Sequence, residues 1–432
     1  MLSSTARTGE DAERPNRKRA SLRLTASAGV AVLAIGLASC ATAAPGGTAT
    51  DGPIDLGDCG TVAALPPVSD PDGIVPTLSP DLQNAFNGFP SPILASAWAD
   101  AKPKGEPPYK VGLSFLPVAN AWATTTVEVF QELFDEAKQA GLVEGELDIQ
   151  MPADATTMTA ADQIAGYQKL VDDGADIILM YPLDGDAMAA PVTAAGEQGI
   201  PTVTLVGNVP SPYAVNVGNN PYNRVSLPFA EGMKLLGGQG NLIIVSGIEG
   251  ISITTISVEA VETALESCPN VNVVGTVNGD YSNSVTKSAL ITFLASHPEP
   301  IDAVVQIGTM GAGVWSAFED TGRPFPLIID IGGTAGSFGY WDREMTENGY
   351  VGVGLAETAE QGSDTVWDVA MRVLAGEGPI TNQIPVVPTV ITNDNLSKYV
   401  VPDAPLSSEG DTLSGGDWIP KGLLDQMFNN PE

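Results

Sequence analysis

The sequence predicts an α/β protein of two doubly wound, parallel-sheet lobes. Three observations carry that prediction. From Tyr109 onward, short apolar runs alternate with helical stretches, and repeated strand–helix units imply right-handed crossovers and sheets covered on both faces. One run, Asp176–Tyr181 (DIILMY), is apolar at successive positions, the mark of a parallel strand buried on both sides. Finally, there are ten such strands in a chain of 432 residues. One open sheet does not comfortably hold that many, and the length is about twice the usual ~100–200 residues per domain.

The chain opens on an address. Residues 17–23 (RKRASLR) are basic, and Leu24 to Ser39 is an uncharged run rich in Ala, Val, Leu and Gly. A basic start followed by such a run reads as an export signal, residues 1–39. It ends in Leu37-Ala38-Ser39-Cys40, a pattern that resembles a bacterial lipobox, in which the thiol of Cys40 is acylated. The alternative is an uncleaved membrane anchor with an incidental cysteine. Residues 40–56, rich in Ala, Gly, Thr and Pro, have the composition of a flexible tether. No second apolar run long enough to span a membrane is expected. Cys59 and Cys268 then remain. Outside the cytoplasm two thiols can pair; a disulfide would pin the Pro-rich extension, residues 57–108, to the second lobe, and spacing leaves this open. Within the extension one short helix is expected, with Ser79 as its N-cap and Pro80 at its first position.

The regular part follows. Strands are expected at 110–115, 147–151, 176–181, 201–206, 213–217, 240–246, 271–276, 302–307, 325–330 and 350–355. Helices are expected at 122–140, 158–173, 184–198, 221–236, 252–266, 283–296, 309–320, 335–346 and 358–375. Ligands of such sheets sit beyond the carboxyl ends of the strands, so two lobes facing each other would enclose a cleft.

Composition narrows the function. Lys and Arg number 19 against 52 Asp and Glu, a net charge of −33, and six of the basic residues precede Cys40. So acidic a surface repels phosphate backbones and anionic headgroups, which argues against nucleic-acid binding. The single histidine, His297, leaves no histidine-centred triad and no multi-histidine metal cage. The carboxylates are scattered without calcium-loop spacing, so no metal is expected. Gly308-Thr-Met-Gly-Ala-Gly313 sits between strand and helix, but its glycines lack dinucleotide-loop spacing; no cofactor is expected, and the chain reads as a non-enzyme.

Several stretches together carry a resemblance. They are KVGLSFLPVANAWATTTVEVFQELFDEAKQAG, with Asn120 and Trp122; the run from Asp162 to Leu205, with Pro182 and Asp184 after its strand; NVGNNPYN; and PTVITNDNLSKYV. In this order and spacing, residues 109–400 resemble the type I periplasmic binding proteins, in particular the ribose/galactose-type group. The resemblance implies a clamshell whose lobes are joined by three crossing segments. Lobe one would be 109–217 plus 357–382, lobe two 219–356 plus 383–400, and 401–432 a C-terminal tail. It implies a lipid-anchored, extracytoplasmic solute receptor that delivers a small neutral ligand, a sugar or polyol, to the permease of an ABC importer. A sensory receptor of the same fold, signalling to a membrane kinase, is the alternative, and an extracytoplasmic enzyme on this scaffold has no catalytic constellation to support it.

Carried over by position, the resemblance places ligand contacts on strand-end loops. Trp122 would stack on a sugar ring, with Asn120 beside it and Tyr281 facing it from lobe two. Tyr181, Asp184, Asn208, Thr309, Asp330 and Glu357 complete the expected set. The plainer reading of each is structural, a buried aromatic or a solvated carboxylate. The chain also departs from the group. Val206-Gly207-Asn208 stands where the ribose-like proteins have an Asp-Arg pair, and Ser257 and Gly308 stand where they have Arg and Asn. Beyond the signal the arginines are Arg224, Arg323, Arg343 and Arg372, none at a matched pocket position. Carboxylate and phosphate recognition favours a bidentate guanidinium, so an anionic ligand is disfavoured; a neutral polyol, a less polar ring compound or a cation met by Asp184, Asp280, Asp330 or Glu357 all stay open.

Overall fold

A computed structural model describes residues 56–62, 68–118, 120–153, 157–414 and 416–429. The expected signal, Cys40 and nearly all of the tether lie outside the described residues. Within the compact unit Ile54–Glu432 the strands form two six-stranded sheets.

Lobe one contains β1 (Val111–Ser114), β2 (Asp148–Gln150), β3 (Ile177–Met180), β4 (Thr202–Leu205), β5 (Ala214–Asn219) and β11 (Gln383–Val386), in the order β11-β5-β4-β3-β1-β2. Every pairing in it is parallel. Lobe two contains β6 (Gln239–Ser246), β7 (Asn270–Asn278), β8 (Ala303–Gln306), β9 (Leu327–Ile331), β10 (Val353–Leu355) and β12 (Ile391–Thr392), in the order β12-β10-β9-β8-β6-β7. There only β12 runs antiparallel, against β10. In each lobe the strand order reverses beside its first strand, which opens a crevice at the carboxyl ends.

The strands are buried on both faces, as their continuous apolar runs require. In β3, Ile177 and Leu179 face α2 (Ala121–Gln139) and α10 (Ala359–Ala375), packing on Phe130, Phe134 and Trp367. Ile178 and Met180 face Tyr167 of α3 (Ala160–Asp172) and Met188 of α4 (Gly185–Glu197). Lobe two repeats the scheme. Leu242 and Ile244 pack on α5 (Asn223–Leu236) and α6 (Ser252–Leu265). Ile243 and Val245 share a core with α7 (Asn283–Ser296), α8 (Gly311–Thr321) and α9 (Ala335–Asn348).

Three segments cross between the lobes: 220–222, 356–358 and 387–390. The third falls later than expected. Residues 383–386 belong to lobe one, because β11 pairs with β5 from Gln383 opposite Asn216 to Val386 opposite Asn219. Ile384 and Val386 thereby join the lobe-one core.

Both flanking segments are structural. Cys59 and Cys268 are joined by a disulfide, and Leu56 and Cys59 pack on lobe two beside Phe229 and Met233. The extension then buries Leu78, Leu82, Phe86, Phe89 and Ile93 in the lobe-one core, so it is a belt joined to both lobes. Its short helix α1 (Pro80–Ala85) starts at Ser79 with Pro80 at the first position, but the Ser79 hydroxyl makes no cap bond. At the other end Ile419, Leu424, Met427 and Phe428 enter the same core. Arg372 holds that end, reaching Glu377 at 2.6 Å and Asp425 at 3.0 Å, its guanidinium carbon 4.0 Å from the centre of the Phe428 ring.

Candidate ligand-binding cleft

The carboxyl ends of the two sheets face one another, and side chains from both lobes line one cavity of about 60 Å³. Asn120 and Trp122 come from lobe one; Tyr281, Asn283, Thr309 and Thr334 come from lobe two. Asn120 is the N-cap of α2, its Oδ1 accepting the Ala123 N–H at 2.9 Å, which fixes the first helical turn and with it Trp122. The Trp122 ring stands nearly perpendicular to Tyr181, centroids 5.9 Å apart. Tyr281 arrives from the turn after β7, and its hydroxyl lies 2.9 Å from Thr254 Oγ1. Its ring needs glycines as neighbours: a Cβ on Gly247 would lie 2.2 Å from ring carbon Cζ, and one on Gly308 2.8 Å from Cε1.

Backbone strain collects at this end of the sheets. Val206, Asp280, Tyr281 and Thr309 have φ of 66°, 52°, 53° and 53°. Left-handed conformations of such residues cost of order 1–3 kcal/mol each and persist only where the surroundings over-determine them.

Beneath the cavity lies a buried ion pair. Arg224 of α5 donates through Nε to Glu357 Oε1 and Oε2 at 2.8 and 2.7 Å, and its Nη2 stands 2.5 Å from Oε2. Its Nη1 donates to the Ile307 carbonyl at 2.9 Å, and Asn219 Nδ2 donates to Glu357 Oε1. Burial acts against the Arg224 charge, but the charge and hydrogen bonds of Glu357 outweigh it and hold the guanidinium above its ordinary pKa. Tyr181 and Tyr281, from opposite lobes, both sit within reach of this pair, and burial raises both phenols above the usual range.

Of the sequence-predicted residues, Asn120, Trp122, Tyr281 and Thr309 share the cavity, with Tyr181 and Glu357 just behind it. Three others stand apart from the cavity lining. Asp184 is exposed, capping α4 through the Ala187 N–H at 3.1 Å. Asn208 packs its carbonyl against Gly185, where a Cβ would lie 1.8 Å from that oxygen. Asp330 is 2% exposed. It lies inside β9, which runs one residue further, to Ile331. Its carboxylate takes a hydrogen bond from Gln306 and faces Gly311, where a Cβ would lie 2.3 Å from Oδ2. Burial, opposed by the hydrogen bond from Gln306, pushes its carboxyl up to about 6.

The sequence reading also left out Arg224, Thr334, Asn283 and Glu409. Arg224 was counted off the pocket. Its guanidinium does reach the cleft floor, where it pairs with Glu357 and donates to the Ile307 carbonyl. A larger cavity, about 300 Å³ between Trp98, Lys102, Lys104, Gly199 and Leu374, lies at the amino end of β4, away from the cleft. No group of His, Cys, Asp and Glu suited to a metal ion occurs among the described residues.

Residues 111–378 match the periplasmic binding protein domain. The chain belongs to the type I periplasmic binding proteins. It is 24% identical over 254 residues to a xylitol-binding protein of Mycolicibacterium smegmatis, covering 58% of this chain and 70% of that one. It is also 24% identical over 281 residues to a ribose import binding protein of Salmonella typhimurium, 62% of this chain and 90% of the relative. An ABC transporter solute-binding protein of Thermobispora bispora shares the fold, with a TM-score of 0.61 at 23% identity over 70% of this chain and 90% of that one. These relatives are named as binding proteins, and no described helix is long and apolar enough to cross a membrane.

Two predictions follow from the charges. Arg224→Met leaves Glu357 buried without its partner and should cost about 3–5 kcal/mol in chemical denaturation; adding Glu357→Gln should recover much of that loss. Burial pushes the Asp330 carboxyl up to about 6 from its ordinary 3.8. The folded form therefore holds the proton more tightly, and stability from this group is full at pH 3 and lost as pH rises to about 6. Asp330→Asn should stabilise the protein by about 2–3 kcal/mol at pH 8 and leave it unchanged at pH 3, as read by melting at both values.

Proposed function

We propose that this protein captures a small neutral sugar or polyol between its lobes and delivers it to the permease of an ABC importer. The observation that carries this reading is the cavity lined from both lobes, with Trp122 and Tyr281 as its aromatic walls and amides and hydroxyls between them. Aromatic faces cover the C–H surface of a sugar or polyol, while Asn and Thr side chains satisfy hydroxyls that point sideways. Arg224 at the floor is paired with Glu357, which disfavours an anion. The xylitol-binding and ribose import relatives point to the same ligand class.

With the lobes this close together the cavity is small, so entry requires them to part and capture requires them to close. Closure is then driven by contacts that exist only in the closed form. Asn120, Trp122, Tyr281 and Thr309 would touch the ligand, and Tyr181 and Glu357 would support them. A lipid on Cys40 would hold the receptor at the outer face of the membrane, close to its permease.

Trp122→Ala should abolish the thermal stabilisation given by xylitol or D-ribose while leaving the ligand-free midpoint close to wild type; stabilisation equal to wild type would place the site elsewhere. Cys40→Ala should move the protein from the membrane fraction to the soluble one, and retention in the membrane would mean a different anchor.

A further inference from the structure

The C-terminal tail lies outside the stretch that matches the family, yet it enters the cleft. It first runs along lobe two, where the Gly336 N–H donates to Ser408 O at 3.0 Å and the Ala335 N–H to Gly410 O at 2.8 Å. Its seat is made for it: a Cβ on Gly336 would lie 2.4 Å from the Leu406 carbonyl and 2.7 Å from that of Ser408. At Asp411 the tail changes lobes. Asp411 bridges to Thr334 of lobe two, and its Oδ2 accepts the Ala359 N–H at 2.7 Å, at the start of α10 in lobe one. Gln361 Nε2 then donates to Ser414 O at 2.7 Å. Between these anchorages stands Glu409, which lines the cavity with Trp122 and Tyr281. Asn283 Nδ2 stands 3.4 Å from its Oε1, and no described ion pair uses its charge.

We propose that the tail is a third wall of the ligand cavity and that Glu409 is a ligand-contacting residue, its carboxylate accepting hydrogen bonds from ligand hydroxyls. Asp411 is the positioning residue: by tying the tail to α10 it holds Glu409 over the cavity. The proposal rests on the sugar or polyol reading given above. An ionised carboxylate is acceptor-only, with two oxygens and room for several donors, and such charge-assisted bonds are stronger than neutral ones. Glu409 is exposed on its outer side, so it serves as a rim contact that is completed when a polyol replaces water at the cavity.

The test is calorimetric titration of the full chain with xylitol and D-ribose. Glu409→Gln keeps the shape of an exposed side chain and should leave the ligand-free melting point unchanged while weakening binding about five- to tenfold. Asp411→Ala should weaken it by at least as much. The double variant should bind no more weakly than Asp411→Ala alone, because a displaced tail has already lost the Glu409 contact. Wild-type affinity in Glu409→Gln, with binding lost in Trp122→Ala, would overturn the tail contact and leave the cleft reading in place. Additive losses in the double variant would overturn the role of Asp411. Binding of neither probe by the wild-type chain would overturn the sugar or polyol reading, and this inference with it.

Discussion

The molecule is organised around one buried charge pair at the junction of its lobes. Arg224 enters from the start of α5, just past the first crossing segment, and Glu357 sits in the second. Taking either ion out of water alone costs several kcal/mol. Here the cost is offset by several hydrogen bonds: Glu357 accepts from Asn219 and from two nitrogens of Arg224, and Arg224 also donates to the Ile307 carbonyl. The pair therefore ties two crossing segments and the end of β8 into one register. Tyr181 and Tyr281 stand over it from opposite lobes, so it sets the floor of the cleft.

Around that floor the lobes are joined more heavily than by three crossing segments alone. The extension is pinned to lobe two through Cys59 and Cys268 and buried in lobe one through Leu82, Phe86 and Ile93. It also touches the hinge: Asn220, in the first crossing segment, donates through Nδ2 to the carbonyls of Ala85 and Asn87 at 3.0 and 2.7 Å. The tail makes a comparable connection on its own path, from α9 in lobe two to the core of lobe one. Any parting of the lobes must bend around these added straps as well as the crossing segments. The strained φ angles at Val206, Tyr281 and Thr309 sit at the same end of the sheets, where a tightly built frame can hold them.

The regular elements were legible because they are written in local periodicity. The double-sided burial of β3 follows from the run IILM, and the expected helix 283–296 matches α7, Asn283–Ser296. Asn120, Trp122, Tyr281 and Thr309 came from the family resemblance instead, carried over by position, and they share one cavity. Misplacements came where a strand ran further than its apolar signal. The third crossing moved past Val386 because β11 continues the lobe-one sheet, and Asp330 fell inside β9 because Ile331 is still paired. Ser79 heads its helix as its sequence suggests, yet leaves its hydroxyl unbonded, since Pro80 supplies the start by its fixed backbone.

By itself the sequence determined the two parallel-sheet lobes, the short helix headed by Pro80 and the strongly acidic composition. Each of these depends on neighbours along the chain or on composition. Only the tertiary structure decided that Arg224 and Glu357 would meet across 133 residues, that Asp330 would be sealed behind the wall, and that the tail would bring Glu409 to the cavity. Those outcomes depend on which groups packing forces into a shared low-dielectric space, and no local pattern records that choice.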